Sequence, residues 1–170
     1  MIVVSDTSPL NYLILVGQAD VLRTLYGRVI VPDVVKDELG HARSPVAVKD
    51  WIAHLPEWIE VRSTIKIIPT KPGLDAGEVA AMQLALELQA ELVLIDDQPA
   101  RVEAQRLGLP VTGTLGVLMA AAVLRLLDIE AVLSRLLSET NFRLKQHVAD
   151  RAIAHVKTSL AANETGRGET

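Results

Sequence analysis

The chain has 170 residues, 49% of them apolar and 22% charged, enough to bury a full hydrophobic core without staples and too apolar to be disordered. It has no cysteine, which excludes disulfides, thiolate zinc sites and a cysteine nucleophile, and its 3% aromatic content cannot build a base-stacking platform. The net charge of −4 hides an acidic body and a basic late segment, where Arg143, Lys145, Arg151 and Lys157 are set against Asp150 alone between 141 and 160.

Ile2–Ser5 (IVVS) is continuous, partly β-branched and too short for a helix, so it predicts a buried parallel strand. Asp6 then interrupts the apolar run before the core of a secretory signal could form. Ser8-Pro9 opens a helix through Leu15, with proline in its first turn, and Ala19–Tyr26 predicts a second. A weaker strand at Val29–Val31 precedes Pro32, followed by a helix over Asp33–Leu39 that Gly40 stops. Pro45–His54 predicts a helix, Ile59–Arg62 a strand, and Lys71-Pro72-Gly73 a loop. Asp75–Ala90 reads as an amphipathic helix with Val79, Met82, Leu86 and Ala90 on one stripe. Leu92–Ile95 (LVLI) is the second strong strand. After it come a helix over Pro99–Leu107 ended by Gly108, a short strand near Val111, and helices over Thr114–Leu127, Ile129–Ser138 and Arg143–Leu160.

This alternation predicts an α/β fold around a parallel sheet, with a helical C-terminal third. One domain is expected over 1–160, with a disordered tail at 161–170. The longest later apolar run, Leu115 to Leu124, is far shorter than the ~20 residues of a membrane span. The expected location is cytoplasmic. Leucines and valines on many faces of the last third predict a twofold homodimer, unless those helices bury them against one another.

In open α/β sheets, ligands bind outside the carboxyl ends of the strands. Asp6 ends one strong strand and Asp96-Asp97 the other, although Asp6 and Asp97 could equally cap the helices that follow. Glu38 falls within the apolar arc of Val34, Val35 and Leu39, so it points toward the protein body and needs a partner there, either an arginine or a ligand. Glu78 stands three residues after Asp75, the spacing of a capping box, and can serve as cap, ligand or both. Two carboxylates ~5 Å apart at an effective dielectric near 20 repel by about 3 kcal/mol, so convergence of four requires a hard cation. All-oxygen ligation suits Mg²⁺ or Mn²⁺, and Mg²⁺ typically meets phosphates. No GxxxxGK, GxGxxG, HExxH or GxSxG motif competes, and His41, His54, His147 and His155 lack metal-ligand spacing. A haloacid-dehalogenase-type phosphatase would need a second aspartate two residues after Asp6, where Ser8 stands.

Five blocks in order resemble a PIN-domain nuclease, most closely the VapC-like toxins of toxin–antitoxin pairs. They are DTSPLNYL at Asp6–Leu13, VPDVVKDEL at Val31–Leu39, LDAGEVAAMQLA at Leu74–Ala85, LVLIDDQPAR at Leu92–Arg101 and GLPVTGTLGVL at Gly108–Leu118. The resemblance implies an α/β/α sandwich and a divalent cation, Mg²⁺ or Mn²⁺, held by Asp6, Glu38, Glu78 and Asp97. In the usual family pattern Thr and Asn precede the last aspartate. Here Asp96 takes the Asn position, so either it assists Asp97 or it is a further ligand. The accessory hydroxyl of the family matches Thr7, Ser8 or Thr114.

The implied activity is metal-dependent hydrolysis of RNA phosphodiester bonds, with a cognate antitoxin as partner. Arg101 and the basic helix over 143–157 are candidates for the RNA backbone, although a solvated surface explains such a helix as readily. Two other readings are a catalytically silent PIN-fold binding module and a metal-dependent small-molecule phosphatase.

Overall fold

The computed structural model describes residues 1–65 and 69–165. It divides into two compact units, Met1–Thr114 and the segment from Leu115 onward.

The first unit holds a five-stranded parallel sheet in the order β3-β2-β1-β4-β5. The strands are β1 (Val3–Ser5), β2 (Val29–Pro32), β3 (Ile59–Arg62), β4 (Leu92–Leu94) and β5 (Val111–Thr112). Helices α1 (Thr7–Leu15), α2 (Val21–Tyr26), α3 (Asp33–Leu39), α4 (Val46–Ala53), α5 (Ala76–Leu88) and α6 (Gln98–Arg106) connect them. The result is the three-layer α/β/α arrangement expected from the strand–helix alternation. Val4, Ile30, Met82, Leu84, Val93 and Ile95 form its buried centre. Short central strands of valine, isoleucine and leucine are what a sheet covered on both faces requires.

The chain order explains where a site can form. From β1 the chain winds outward through β2 and β3, then returns to the other side of β1 for β4 and β5. Connections from β1 and β4 therefore diverge, which opens a crevice at their carboxyl ends. Asp6 follows β1, and its amide still donates to Leu94 O at 3.0 Å, so the two strand ends are held side by side.

One expected stripe is absent. α5 packs on β1, β2, β4 and α3, and it is buried on nearly every side, including Gly77, Glu78, Ala80, Ala81, Gln83 and Ala85, while Val79 and Leu86 are only half-buried. Small residues permit this all-round burial, so the helix has no single apolar face.

The second unit contains α7 (from Thr114 to Val123), α8 (Ile129–Glu139) and α9 (Gln146–Thr165). α7 stops four residues before the expected Leu127, where Arg125 adopts a left-handed φ of 60°. α9 starts three residues after Arg143, so Arg143 and Lys145 lie in the preceding loop, and its helix reaches Thr165 rather than Leu160. The rest of the expected tail, 166–170, lies outside the described residues. Part of the apolar surplus expected at an interface is covered: Val117, Leu118, Val132, Leu133 and Leu136 are buried, Leu115, Val123 and Leu127 are half-buried, and Leu124, Leu126 and Leu137 remain exposed. No helix among the described residues is long and apolar enough to cross a membrane.

Candidate active site

Asp6 sits where extended backbone turns into α1. It occupies the N-cap position but forms no side-chain cap hydrogen bond. Its residue surface is 2% exposed, and Oδ1 is buried with no hydrogen-bond partner. Burial pushes its carboxyl up from 3.8 to about 7, the neighbouring charges of Asp75 and Glu78 push the same way, and the Thr7 and Ser8 amides only partly offset this.

Glu38 lies on the inward side of α3, half-buried, while its neighbours Lys36 and Asp37 are exposed, as the helical arc predicted. Its partner is not an arginine. Thr7 Oγ1 donates to Glu38 Oε2, tying the first residue of α1 to α3. Glu38 Oε2, Asp6 Oδ1 and Thr7 Oγ1 all close around Gly77, where a Cβ would meet them at 2.6, 3.0 and 3.0 Å. A glycine in the first turn of an alanine-rich helix sacrifices about 1 kcal/mol of helix propensity, and here that position makes room for two carboxylates. That cost is the one signal by which the sequence marks Gly77.

Glu78 forms the expected capping box. Its amide donates to Asp75 Oδ1 at 2.8 Å, and its Oε2 accepts from the Asp75 amide at 2.9 Å. It is also buried, and its carboxyl is raised first by burial and then by the charges of Asp75, Asp97 and Glu38. Asp97 is exposed and caps α6, its Oδ1 accepting from the Ala100 amide at 3.0 Å. For both residues the capping role is real and uses one oxygen, and the other takes no hydrogen bond among the described residues.

Asp96 differs from these. Its Oδ1 accepts from the Thr114 amide at 2.7 Å and its Oδ2 from Thr114 Oγ1 at 2.6 Å. Thr114 is therefore a capped residue engaged with Asp96, not a free hydroxyl, and Ser8 contributes its amide beside Asp6. Arg101 is half-buried beside Asp96, and its Nη1 donates to Ile95 O at 3.1 Å, so it is committed within the fold. His41, His54, His147 and His155 are all exposed.

The cluster thus gathers Asp6, Glu38, Glu78 and Asp97, with Asp75 beside them, and none of these five takes part in an ion pair among the described residues. As the side chains stand, no three acidic or imidazole groups among the described residues close on one point tightly enough to hold an ion. The donor chemistry nevertheless fits a hard divalent cation. All donors are carboxylate oxygens, no cationic side chain among the described residues answers their charge, and the orphaned Asp6 Oδ1 lies where a Cβ at Gly77 would touch it.

The comparisons with known proteins agree with this fold. No curated protein matches the chain. A solved structure, a PilT N-terminus domain protein from the hyperthermophilic archaeon Sulfolobus solfataricus P2, is similar at a TM-score of 0.50 and 16% identity, covering 85% of this chain and 100% of that one. A family model described as a PIN domain matches residues 2–158. With that match over nearly its whole length, the chain belongs to the PIN-domain family.

Proposed function

We propose that this chain is a divalent-cation-dependent endoribonuclease, and that it acts as the toxin of a toxin–antitoxin pair. PIN domains are generally nucleases, and they generally use divalent cations. The observation that carries the reading is the buried Asp6 carboxylate, with one oxygen unanswered, among acids at the β1/β4 crevice. A structural acid at 2% exposure is ordinarily paired; this one is placed against more negative charge.

Asp6, Glu38, Glu78 and Asp97 are the residues that would hold Mg²⁺ or Mn²⁺. Bound there, the cation supplies positive charge for the scissile phosphate and lowers the pKa of a water. Thr7 orients Glu38 through its hydroxyl, and the capping bonds of Glu78 and Asp97 fix each side chain while leaving one oxygen for the ligand. In this reading water attacks the phosphodiester, while the hydroxyls of Thr7 and Thr114 hold the carboxylates of Glu38 and Asp96 in place. Arg143, Lys145 and Arg151 are exposed on the second unit and stay candidates for the RNA backbone, whereas Arg101 is engaged by Ile95 O. A twofold homodimer and a cognate antitoxin complete the proposal, the dimer resting on exposed Leu124, Leu126 and Leu137.

The test is incubation of the pure protein with total RNA in EDTA and in Mn²⁺, beside Asp6→Asn. Cleavage in Mn²⁺ alone, lost in the variant, is the expected result. No cleavage under either condition returns the chain to a PIN-fold binding module. For the toxin role, expression alone in a bacterial host should arrest growth, and Asp6→Asn should relieve the arrest. Light scattering at high concentration tests the dimer, which a monomeric mass would remove.

A further inference from the structure

Two consecutive aspartates end β4, and their surroundings separate them. Asp96 has both carboxylate oxygens engaged, one by the amide and one by the hydroxyl of Thr114, at 2.7 and 2.6 Å. Thr114 is fully buried, so neither bond is shared with solvent on its side. Arg101 lies beside the same carboxylate and is anchored by its bond to Ile95 O, the backbone oxygen just before Asp96. Gly113 completes the arrangement: a Cβ there would fall 2.5 Å from Asp96 Oδ1, 2.9 Å from Arg101 Nη1 and 3.0 Å from Ile95 O. A Cβ at 113 would push Asp96 Oδ1 and Arg101 Nη1 out of their places.

We propose that Asp96 is a positioning residue and not a cation ligand: with Thr114, Arg101 and Gly113 it latches the end of β5 to the end of β4 and so aims Asp97 at the acid cluster. This rests on the nuclease reading above and divides the labour between the two aspartates. For Asp96 to ligate, a cation must share an oxygen that Thr114 already holds and sit against a guanidinium. Asp97 faces neither obstacle, since it is exposed, holds one oxygen on Ala100, and its charge reaches Glu78. The latch also suits an asparagine. An Asn at 96 accepts from the Thr114 amide through its Oδ1 and donates to the Thr114 hydroxyl through its amide, which a carboxylate cannot do.

The test is direct Mn²⁺ titration, by the spin-resonance signal of free Mn²⁺, of the full-length wild type, Asp96→Asn, Asp97→Asn, Thr114→Val and Thr114→Ser, with RNA-cleavage kinetics on the same proteins. Asp96→Asn should keep Mn²⁺ affinity within about threefold of wild type, whereas Asp97→Asn should lose at least tenfold. Thr114→Val should lower kcat about tenfold with KM little changed, and Thr114→Ser should restore it. Mn²⁺ affinity lost equally in Asp96→Asn and Asp97→Asn would overturn the proposal, as would wild-type kcat in Thr114→Val. A wild type that neither binds Mn²⁺ nor cleaves RNA would overturn the nuclease reading itself, and this inference with it.

Discussion

Asp6 and Asp96 end neighbouring strands on one edge of the sheet, and burial raises the carboxyl of each above its ordinary range. Around Asp96 the fold supplies a hydroxyl, an amide and a guanidinium. Around Asp6 it supplies only the Thr7 and Ser8 amides against Glu38, Glu78 and Asp75, and Oδ1 has no partner among the described residues. Glu103, also buried, is answered as Asp96 is: Arg106 grips both its oxygens and the Lys71 amide adds a bond, and there the carboxyl is held below the ordinary range. Burial of an acid therefore says little by itself. Burial without a counter-charge marks the place where something else is meant to bind.

The largest effect that can sharpen this contrast is on activity. Asp6→Asn, Glu38→Gln and Glu78→Gln should each lower RNA cleavage by about 10²- to 10⁴-fold, read as initial rates in saturating Mn²⁺. Glu78→Gln keeps the capping bond to the Asp75 amide, so its melting temperature should stay near wild type while activity falls. Glu103→Gln, by contrast, should leave cleavage rates unchanged and lower the melting temperature, because it disturbs only the contacts with Arg106 and the Lys71 amide, away from the acid cluster.

Gly77→Ala should be next in size. The Cβ it adds displaces Glu38 Oε2 and Asp6 Oδ1, and a misplacement near 1 Å costs about 10²-fold in rate. Its stability should change by no more than about 1 kcal/mol, because alanine improves the helix and the atoms it meets are ends of side chains. Rate and melting temperature measured on one preparation separate the two effects. Thr7→Val should be smaller, about tenfold in rate, with Thr7→Ser restoring it, since only the hydroxyl to Glu38 is removed.

A pH series without divalent cations isolates Asp6 when it is read as the difference between wild type and Asp6→Asn, because the raised carboxyls of Glu78 and Asp96 contribute to both. In the unfolded chain the Asp6 carboxyl titrates near 3.8, and in the folded chain near 7. Between those values the folded chain holds a proton that the unfolded chain has released, so stability falls as pH rises through that window and levels off above it. The ceiling is about 4 kcal/mol, from roughly 1.4 kcal/mol per pH unit. In chemical denaturation between pH 4 and 8 the decline should be clearly smaller in Asp6→Asn, where Glu78 and Asp96 alone remain to cause it.

Much of this was readable from residue order. The run IVVS before Asp6 and LVLI before Asp96-Asp97 placed two acids on one edge, because buried parallel strands are continuous apolar runs. The arc of Val34, Val35 and Leu39 turned Glu38 inward, and its partner proved to be Thr7, a contact between α1 and α3 that no local pattern encodes. Asp75 and Glu78 showed their capping box by spacing alone. What spacing could not show is which of two adjacent aspartates is already satisfied, since that depends on Thr114 and Arg101 arriving from elsewhere in the chain. The burial of α5 was hidden for a similar reason: alanines carry no periodic signal, and four elements pack around it. The early end of α7 had no glycine or proline to announce it; Arg125 takes the left-handed conformation instead.

The most direct measurement of the central claim is thermal melting of wild type and Asp6→Asn at pH 8, in EDTA and in Mn²⁺ at a hundred times its dissociation constant from wild type. In EDTA the variant should melt several degrees higher, because it removes an unanswered buried charge at similar volume. Mn²⁺ should then stabilise the wild type by about 2.7 kcal/mol and the variant by much less. A variant that melts below wild type in EDTA, with Mn²⁺ stabilising both proteins equally, would contradict a cation site at Asp6.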